Sequence, residues 1–553
     1  MQKQWSSVIL FSAYLIGCSG NNDLNSLNIE DKPNKPNILI IVADDIGFTD
    51  IGSFGSEINT PNLDRLALEG VRLNNLHANS SCQPMRAMLM TGMSPSSVIQ
   101  NGPRLPRSGE RGNWIKPEVP MLQEMLKHEG YSTYMAGKWD LGPLPGHTPI
   151  SRGFDRYFTQ LNGSANYFPA PLLSEDAMYE EDGISLDFKD LPDDFYATKH
   201  YTDKMIEYLE SHNQDSPWFA FVPYTAPHWP LMLPEDWLDR YKGQYEEGYD
   251  VLRKERFKKA TELGVLPKNA NLNSYKPTAT LWNDLSMDEK MKLSRAQEIF
   301  SGMVEYMDMS IGRIIQTLES TNQLEDTIII YTADHGASRA DYALSTNLNP
   351  YDSKNLGGPR IPWDKINNNI ENFGYSDSFI DRGLGFATAA TAPFKGSKSF
   401  LDEGGLRAAA FIRYPKEIKG GEVDSTFLTM MDFFPTFIDI TDSNFLSEED
   451  YQALKGDSFW KYITKQASSF RDEDFSAGWI RGNDAPAEGQ NNFGGALIKG
   501  KYKIINMPQE RLGSYTEWRL YNLDEDPGEH NDLAKNYPNI VNDLVNTLQS
   551  DWP

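Results

Sequence analysis

Continuous apolar runs alternate with amphipathic ones along most of the chain. Asn37-Ile38-Leu39-Ile40-Ile41-Val42 is apolar after its first residue, which predicts a strand buried on both faces and ending in Ala43-Asp44-Asp45. Asp326 to Thr332 has the same character and leads into Asp334-His335-Gly336. Trp218 to Tyr224 is a third such run, ahead of Pro227-His228-Trp229-Pro230. Tyr131 to Ala136 is strand-like and leads into Gly137-Lys138-Trp139-Asp140. Helical patterns lie between these runs. Thr60-Pro61 supplies an N-cap and a first-turn proline for a helix that Gly70 closes. Met121 to His128 and Asp203 to Ser211 predict two further helices. Ser286-Met287-Asp288-Glu289 is a capping box. It opens a long helix with Ala296, Ile299, Phe300, Met303, Met307, Ile311, Ile314 and Leu318 on one apolar face.

This alternation predicts an α/β fold with a large, mostly parallel sheet sandwiched by helices. Tyr241 to Leu263, dense in Lys, Arg and Glu, reads as a solvated helical excursion, and Arg339 to Ala392 as long loops. After Ile440 the runs shorten: Gly495 to Ile505, Trp518 to Leu523, the turn Asp526-Pro527-Gly528 and a closing helix near Ile540 to Leu548. They predict a smaller C-terminal α+β part with an antiparallel sheet. The expected division is a leader over 1–18, a polar tether over 19–36, a large domain over 37–440 and the small one over 441–553.

The leader has Lys3, an apolar core from Val8 to Ile16 and then Gly17-Cys18, in the manner of a bacterial lipoprotein signal. The apolar run is too short to span a bilayer. The expectation is an exported protein, lipidated on Cys18 and anchored at the bacterial outer membrane or in the periplasm, with no other membrane contact. The 52 Lys and Arg against 78 Asp and Glu leave a net charge of −26. That balance supplies no basic footprint, which excludes nucleic acid as a partner. A polyanionic substrate would be repelled at long range, so an anion site has to be a local basic pocket. Only two cysteines occur. With Cys18 assigned to the leader, Cys82 is unpaired in an exported protein and marks a reactive position.

The polar residues fall in an informative place. Asp44 and Asp45, Lys138, His228, and Asp334 with His335 each follow a predicted strand. In an open α/β sheet those carboxyl ends share one edge, where ligands bind. Three carboxylates there would repel one another without a cation, and their hard oxygens suit Ca2+ or Mg2+. Cys82-Gln83-Pro84-Met85-Arg86 lies between the strand-like Val71 to His77 and a helix-forming run from Ala87. Pro84 fits the first turn, so Cys82 sits at a helix N-terminus, where free N–H groups favour an anion. Arg86, one turn on, points back to the same spot. The stretch predicts a site for a tetrahedral oxyanion.

Cys82-x-Pro84-x-Arg86 resembles the Cys/Ser-x-Pro-x-Arg signature of the type I, formylglycine-dependent sulfatases. The resemblance runs from Pro36 to the C-terminus, takes in Trp518-Arg519-Leu520-Tyr521, and is closest to bacterial arylsulfatases. It implies an alkaline-phosphatase-like fold and hydrolysis of a sulfate ester, carried by a sulfated carbohydrate or an aryl group. It further implies that a maturation enzyme oxidises Cys82 to formylglycine, whose hydrated aldehyde attacks sulfur. One Ca2+, with Mg2+ as second choice, would be held against position 82 by residues matching Asp44, Asp45 and Asp334, and by His335 where many members have Asn. Arg86 would polarise the hydrated aldehyde. Lys398, in Gly396-Ser397-Lys398, matches the family's sulfate-gripping lysine, and Lys138 the lysine of its Gly-Lys-Trp-His-Leu-Gly motif; both, with the metal, would hold the non-bridging sulfate oxygens. His228 matches the histidine of Pro-His-x-Pro, the proton donor to the leaving alcohol. One position departs: Asp140 stands where the family has a histidine that handles a formylglycine proton. Either Asp140 serves as that base, or His147 moves in, or turnover is impaired. A phosphodiester or phosphonate hydrolase on the same scaffold is an alternative. So is a non-catalytic sulfated-glycan-binding lipoprotein.

Overall fold

Six strands carry the large sheet: Asn37–Ala43 (β1), Val71–His77 (β2), Ser132–Lys138 (β3), Trp218–Pro223 (β4), Thr327–Ala333 (β5) and Arg407–Arg413 (β6). They belong to a computed structural model that describes residues 35–104, 111–169, 178–213, 216–272, 279–344, 366–472, 475–480, 495–507 and 515–552. The predicted leader with Cys18, and nearly all of the tether, lie outside the described residues.

The central order is β2-β6-β5-β1-β4-β3 within an 11-stranded sheet. Parallel pairing aligns Ala43 with Ala333 across β1 and β5, and Val42 with Pro223 across β1 and β4. β4 in turn lies parallel to β3, with Phe221 opposite Met135. The carboxyl ends of β1, β3, β4 and β5 therefore share one edge, as their apolar runs predict. β6, which no sequence signal identified, runs antiparallel between β5 and β2. The sheet is thus mixed but mostly parallel, with helices on it. Its middle strands are fully buried, which accounts for runs with no polar alternation.

The capping box at Ser286 is present, and the helix it opens runs over Met287–Ser320. Thr60 precedes the helix Pro61–Glu69, but its hydroxyl does not cap it. The long helix supplies the cap instead: Asp308 accepts from Leu63 N at 2.8 Å and Asn62 N at 3.2 Å. The helix expected within Tyr241 to Leu263 is present, its solvated character is corrected, and so is the loop reading further on. Tyr249–Glu262 is a helix but not simply a solvated one, because Arg256 is buried against Asp50 at 2.5 Å and Glu57 at 2.7 Å. Within Arg339 to Ala392, Gly383–Ala390 is a buried helix. Gly385 there lies where any side chain would strike the Tyr249 ring. Packing of small residues, rather than amphipathic spacing, makes this helix. In the C-terminal part four strands, Ser476–Ile480, Gly495–Lys499, Tyr502–Met507 and Tyr515–Asn522, form an antiparallel sheet. The helix Pro538–Asp551 buries Leu544 and Leu548 beside it.

The helix Ala197–Glu210 begins six residues before the predicted Asp203 and holds His200 against Phe158 and Phe195, with ring centroids 4.5 and 5.0 Å away. Burial lowers His200 from 6.5 to about 4, so the fold favours the neutral ring. That contribution is complete above pH 6.5 and is lost as pH falls through 4. Urea titrations at pH 7 and pH 4 should show His200→Gln losing about 1–3 kcal/mol less than the parent over this interval. Equal losses would rule the effect out.

Candidate active site

Cys82 is the first residue of the helix Cys82–Thr91, with Pro84 in its first turn. Its Sγ lies 3.4 Å from Asp44 Oδ1, 3.2 Å from His335 Nε2 and 3.6 Å from Lys398 Nζ. These partners come from the ends of β1 and β5 and from a loop more than 300 residues along the chain. Burial and the neighbouring Asp44 push the thiol well above its ordinary value, so the unmodified sulfur is a weak nucleophile.

Asp44 is the hub of the basic side. Lys138 Nζ reaches its Oδ2 at 2.5 Å and Arg86 Nη2 reaches the same oxygen at 3.3 Å. Burial opposes its ionisation, but these cations, Lys138 foremost, hold it well below the usual carboxylate range. Arg86 also donates to Lys138 O at 2.6 Å, tying the helix to the end of β3. Asp45 pairs with Lys398 at 2.5 Å. Lys398 is the more accessible cation, with 16% of its side chain exposed, while Lys138 is wholly buried behind Asp44.

The other side fits a cation. Asp44, Cys82, Asp334 and His335 each bring a donor atom within 4.8 Å of the rest, and so do Asp44, Asp45, Cys82 and His228. Asp45 Oδ2 and Asp334 Oδ2 are buried and accept no hydrogen bond from the described residues. Asp334 has no cationic side chain among its ion pairs with described residues; its partners are His335 at 3.1 Å and the Asp45 amide at 3.1 Å. The histidines complete the picture. His335 Nδ1 faces Gly336 O at 2.8 Å and His228 Nδ1 faces Trp229 O at 2.6 Å. A carbonyl only accepts, so each Nδ1 carries the proton and each Nε2 presents a lone pair. His335 Nε2 aims it at Cys82 and Asp334, and His228 Nε2 at Asp45 Oδ2, 3.4 Å away. Burial lowers His335 to about 3 and His228 to about 4, which keeps both neutral. Lone pairs and carboxylates converging in a buried space fit a divalent ion.

Asp140 adopts a left-handed φ of 58°, and its carboxylate lies 3.8 Å from Lys138 Nζ. Gln83, next to Cys82, donates to Asp140 O at 3.1 Å. Burial raises the Asp140 carboxyl. His147 is held elsewhere, with Nδ1 at 3.0 Å from Ile115 O and its ring against Trp114. All the residues read from the sequence as catalytic or metal-binding thus gather at one sheet edge. Two were missed: Arg382 donates to Asp45 O at 3.3 Å and pairs with the buried Asp50 at 2.8 Å. Behind His335, a Cβ on Gly336 would collide with Gly404 O, so the two loops touch backbone to backbone.

A family model described as Sulfatase matches residues 36–443. The chain belongs to the sulfatase family. A second model, for the C-terminal region of N-sulphoglucosamine sulphohydrolase, matches residues 396–551 of this sulfatase. An uncharacterized sulfatase of Schizosaccharomyces pombe is 36% identical, over 94% of either chain. The arylsulfatase of Klebsiella aerogenes is 31% identical over 73% of this chain and 86% of its own. Among solved structures, Ps i-CgsB in complex with k-i-k-neocarrahexaose superposes with a TM-score of 0.65 at 22% identity, covering 93% of this sulfatase and 92% of that chain. The fold is the alkaline-phosphatase-like α/β fold, and the enzyme is an arylsulfatase-like sulfuric ester hydrolase.

Proposed function

We propose that this sulfatase removes sulfate from a sulfated carbohydrate, using formylglycine at position 82 and one bound divalent cation, Ca2+. The observation that carries the reading is the convergence of Asp44, His335 and Lys398 on Cys82 Sγ. The hydrated aldehyde would supply an oxygen nucleophile where the thiol is a weak one. The cation, held by Asp44, Asp45, Asp334 and His335 at position 82, would supply Lewis-acid charge against sulfate oxygens. The side chains do the rest. Lys398, partly exposed and beside position 82, grips the non-bridging oxygens, whose charge must be held during transfer. Lys138 fixes Asp44 and stays charged: burial opposes the charge, but Asp44, Cys82 and Asp140 together outweigh burial and lift its pKa. His228, with Nδ1 tied to Trp229 O, has only Nε2 free, and this nitrogen, once it has taken up a proton beside the Asp45 carboxylate, passes it to the leaving alcohol. Asp140, held by Gln83 and raised by burial, is the base that stands in for the family histidine; the anchoring of His147 favours Asp140.

The carbohydrate assignment draws its support from the oligosaccharide complex of the structural neighbour. Export and lipidation of Cys18 belong to the same reading and rest on the leader sequence. The test is hydrazide labelling of residue 82 followed by turnover on a panel of sulfated oligosaccharides, nitrophenyl sulfate and a nitrophenyl phosphate diester. Labelling with sulfate release is expected, and faster on at least one oligosaccharide than on the aryl ester. Binding without release would favour the non-catalytic alternative, and faster diester cleavage the phosphodiesterase.

A further inference from the structure

Lys398 sits near the tip of a loop that is clamped from behind by charges the reaction does not use. At the base of this loop Gly404 N donates to Lys395 O at 2.6 Å, and Lys395 Nζ pairs with Asp402 at 2.8 Å. The tip is pinned to the site: Lys398 N donates to Ala337 O at 3.0 Å and Ser399 N to Ser80 O at 2.8 Å. Glu403 follows directly and is fully buried. Its carboxylate accepts from Arg407 at 2.7 Å, from His77 at 2.9 Å and from Lys503 at 2.9 Å. Lys503 comes from the C-terminal sheet. The same Nζ pairs with Glu529 at 2.8 Å, and the other Glu529 oxygen accepts the Glu403 backbone N–H at 2.7 Å. Leu401 N reaches Met507 Sδ at 3.4 Å, a further contact from that sheet. A buried ionic cluster adds little stability over apolar packing of the same volume. What this one defines is position, and the backbone it grips is the one that delivers Lys398.

We propose that Lys503 and Glu529 are positioning residues of the active site: through Glu403 they hold the Phe394–Arg407 segment so that Lys398 meets position 82. This rests on the reading of Lys398 as the cation that grips sulfate. The C-terminal sheet is then a working part of catalysis.

The test is the double variant Lys503→Met with Glu529→Gln, which removes one charge of each sign and leaves Glu403 paired with Arg407. A folded double variant should lose about 10–100-fold in kcat/KM on nitrophenyl sulfate. In a Lys398→Ala background the same two changes should cost no more than about 2-fold, because residues that act through one group are not additive. Hydrogen exchange of peptides within 396–404 should quicken at least about 10-fold as the amides of Lys398 and Ser399 lose their acceptors. Equal losses in both backgrounds, or unchanged exchange, would overturn the proposal. Should the double variant not fold, the single change Lys503→Gln, which keeps a polar group facing Glu403 and Glu529, takes its place, with the same expected quickening and the same dependence on Lys398. A parent that releases no sulfate would defeat the proposed function, while the exchange measurement would still decide the clamp.

Discussion

Cys82→Ala should reduce sulfate-ester turnover to background, a loss of at least about 10⁴-fold in kcat, with the fold unchanged. The helix that begins at this residue keeps Pro84, Arg86 and its buried apolar face, so loss of one small sulfur costs stability only about 1 kcal/mol. Turnover of nitrophenyl sulfate, far-UV circular dichroism and hydrazide labelling check the three parts separately. Residual activity above a hundredth of the parent's would refute position 82 as the nucleophile. An unfolded variant would instead mean that Sγ holds its neighbours together.

The second large effect concerns the cation. Asp44 and Asp45 are each paired with basic side chains, but among the described residues the direct partners of Asp334 are a neutral imidazole and an amide. Burial, then Asp44 and Asp45, push its carboxyl well above the ordinary range. An ion that binds the folded state alone stabilises it by RT ln(1 + [L]/Kd), about 2.7 kcal/mol at a hundredfold excess over Kd. Chelation of the parent should therefore lower Tm by roughly 2–3 °C, and added Ca2+ should restore it. Asp334→Asn removes the cost of burying this carboxyl without its ion. Its chelated form should melt above the chelated parent, respond little to Ca2+ and lose at least about 10²-fold in activity. A variant that still gains the parent's full Tm shift from Ca2+ would show that Asp334 is not a ligand.

The strand-end residues were legible because physics ties them to a pattern. Buried parallel strands have to be apolar throughout, so the first polar residues after Val42, Pro223 and Thr332 have to lie at the same edge. Lys398 came only from its resemblance to a family motif, since no strand delivers it. Asp50, Arg256 and Arg382 were not legible. A buried charge reads in sequence like a solvated one, and its partners lie some 200 to 330 residues away. Glu403, Lys503 and Glu529 likewise read as solvated charges, although Glu403 lies 100 and 126 residues from the other two. The helix Gly383–Ala390 escaped for another reason. Its glycines and threonine argue against a helix, and only close packing, with Gly385 under Tyr249, supports it. The cap of Pro61–Glu69 is similar: Thr60 was the right residue type, but the tertiary partner Asp308 took the role.

The apposition of Gly336 and Gly404 carries a consequence for how the enzyme can change. No other amino acid fits at Gly336 without prising apart the histidine-bearing and lysine-bearing loops. The inner wall of the pocket is therefore closed to gradual drift, and new substrates have to be acquired by remodelling its outer rim.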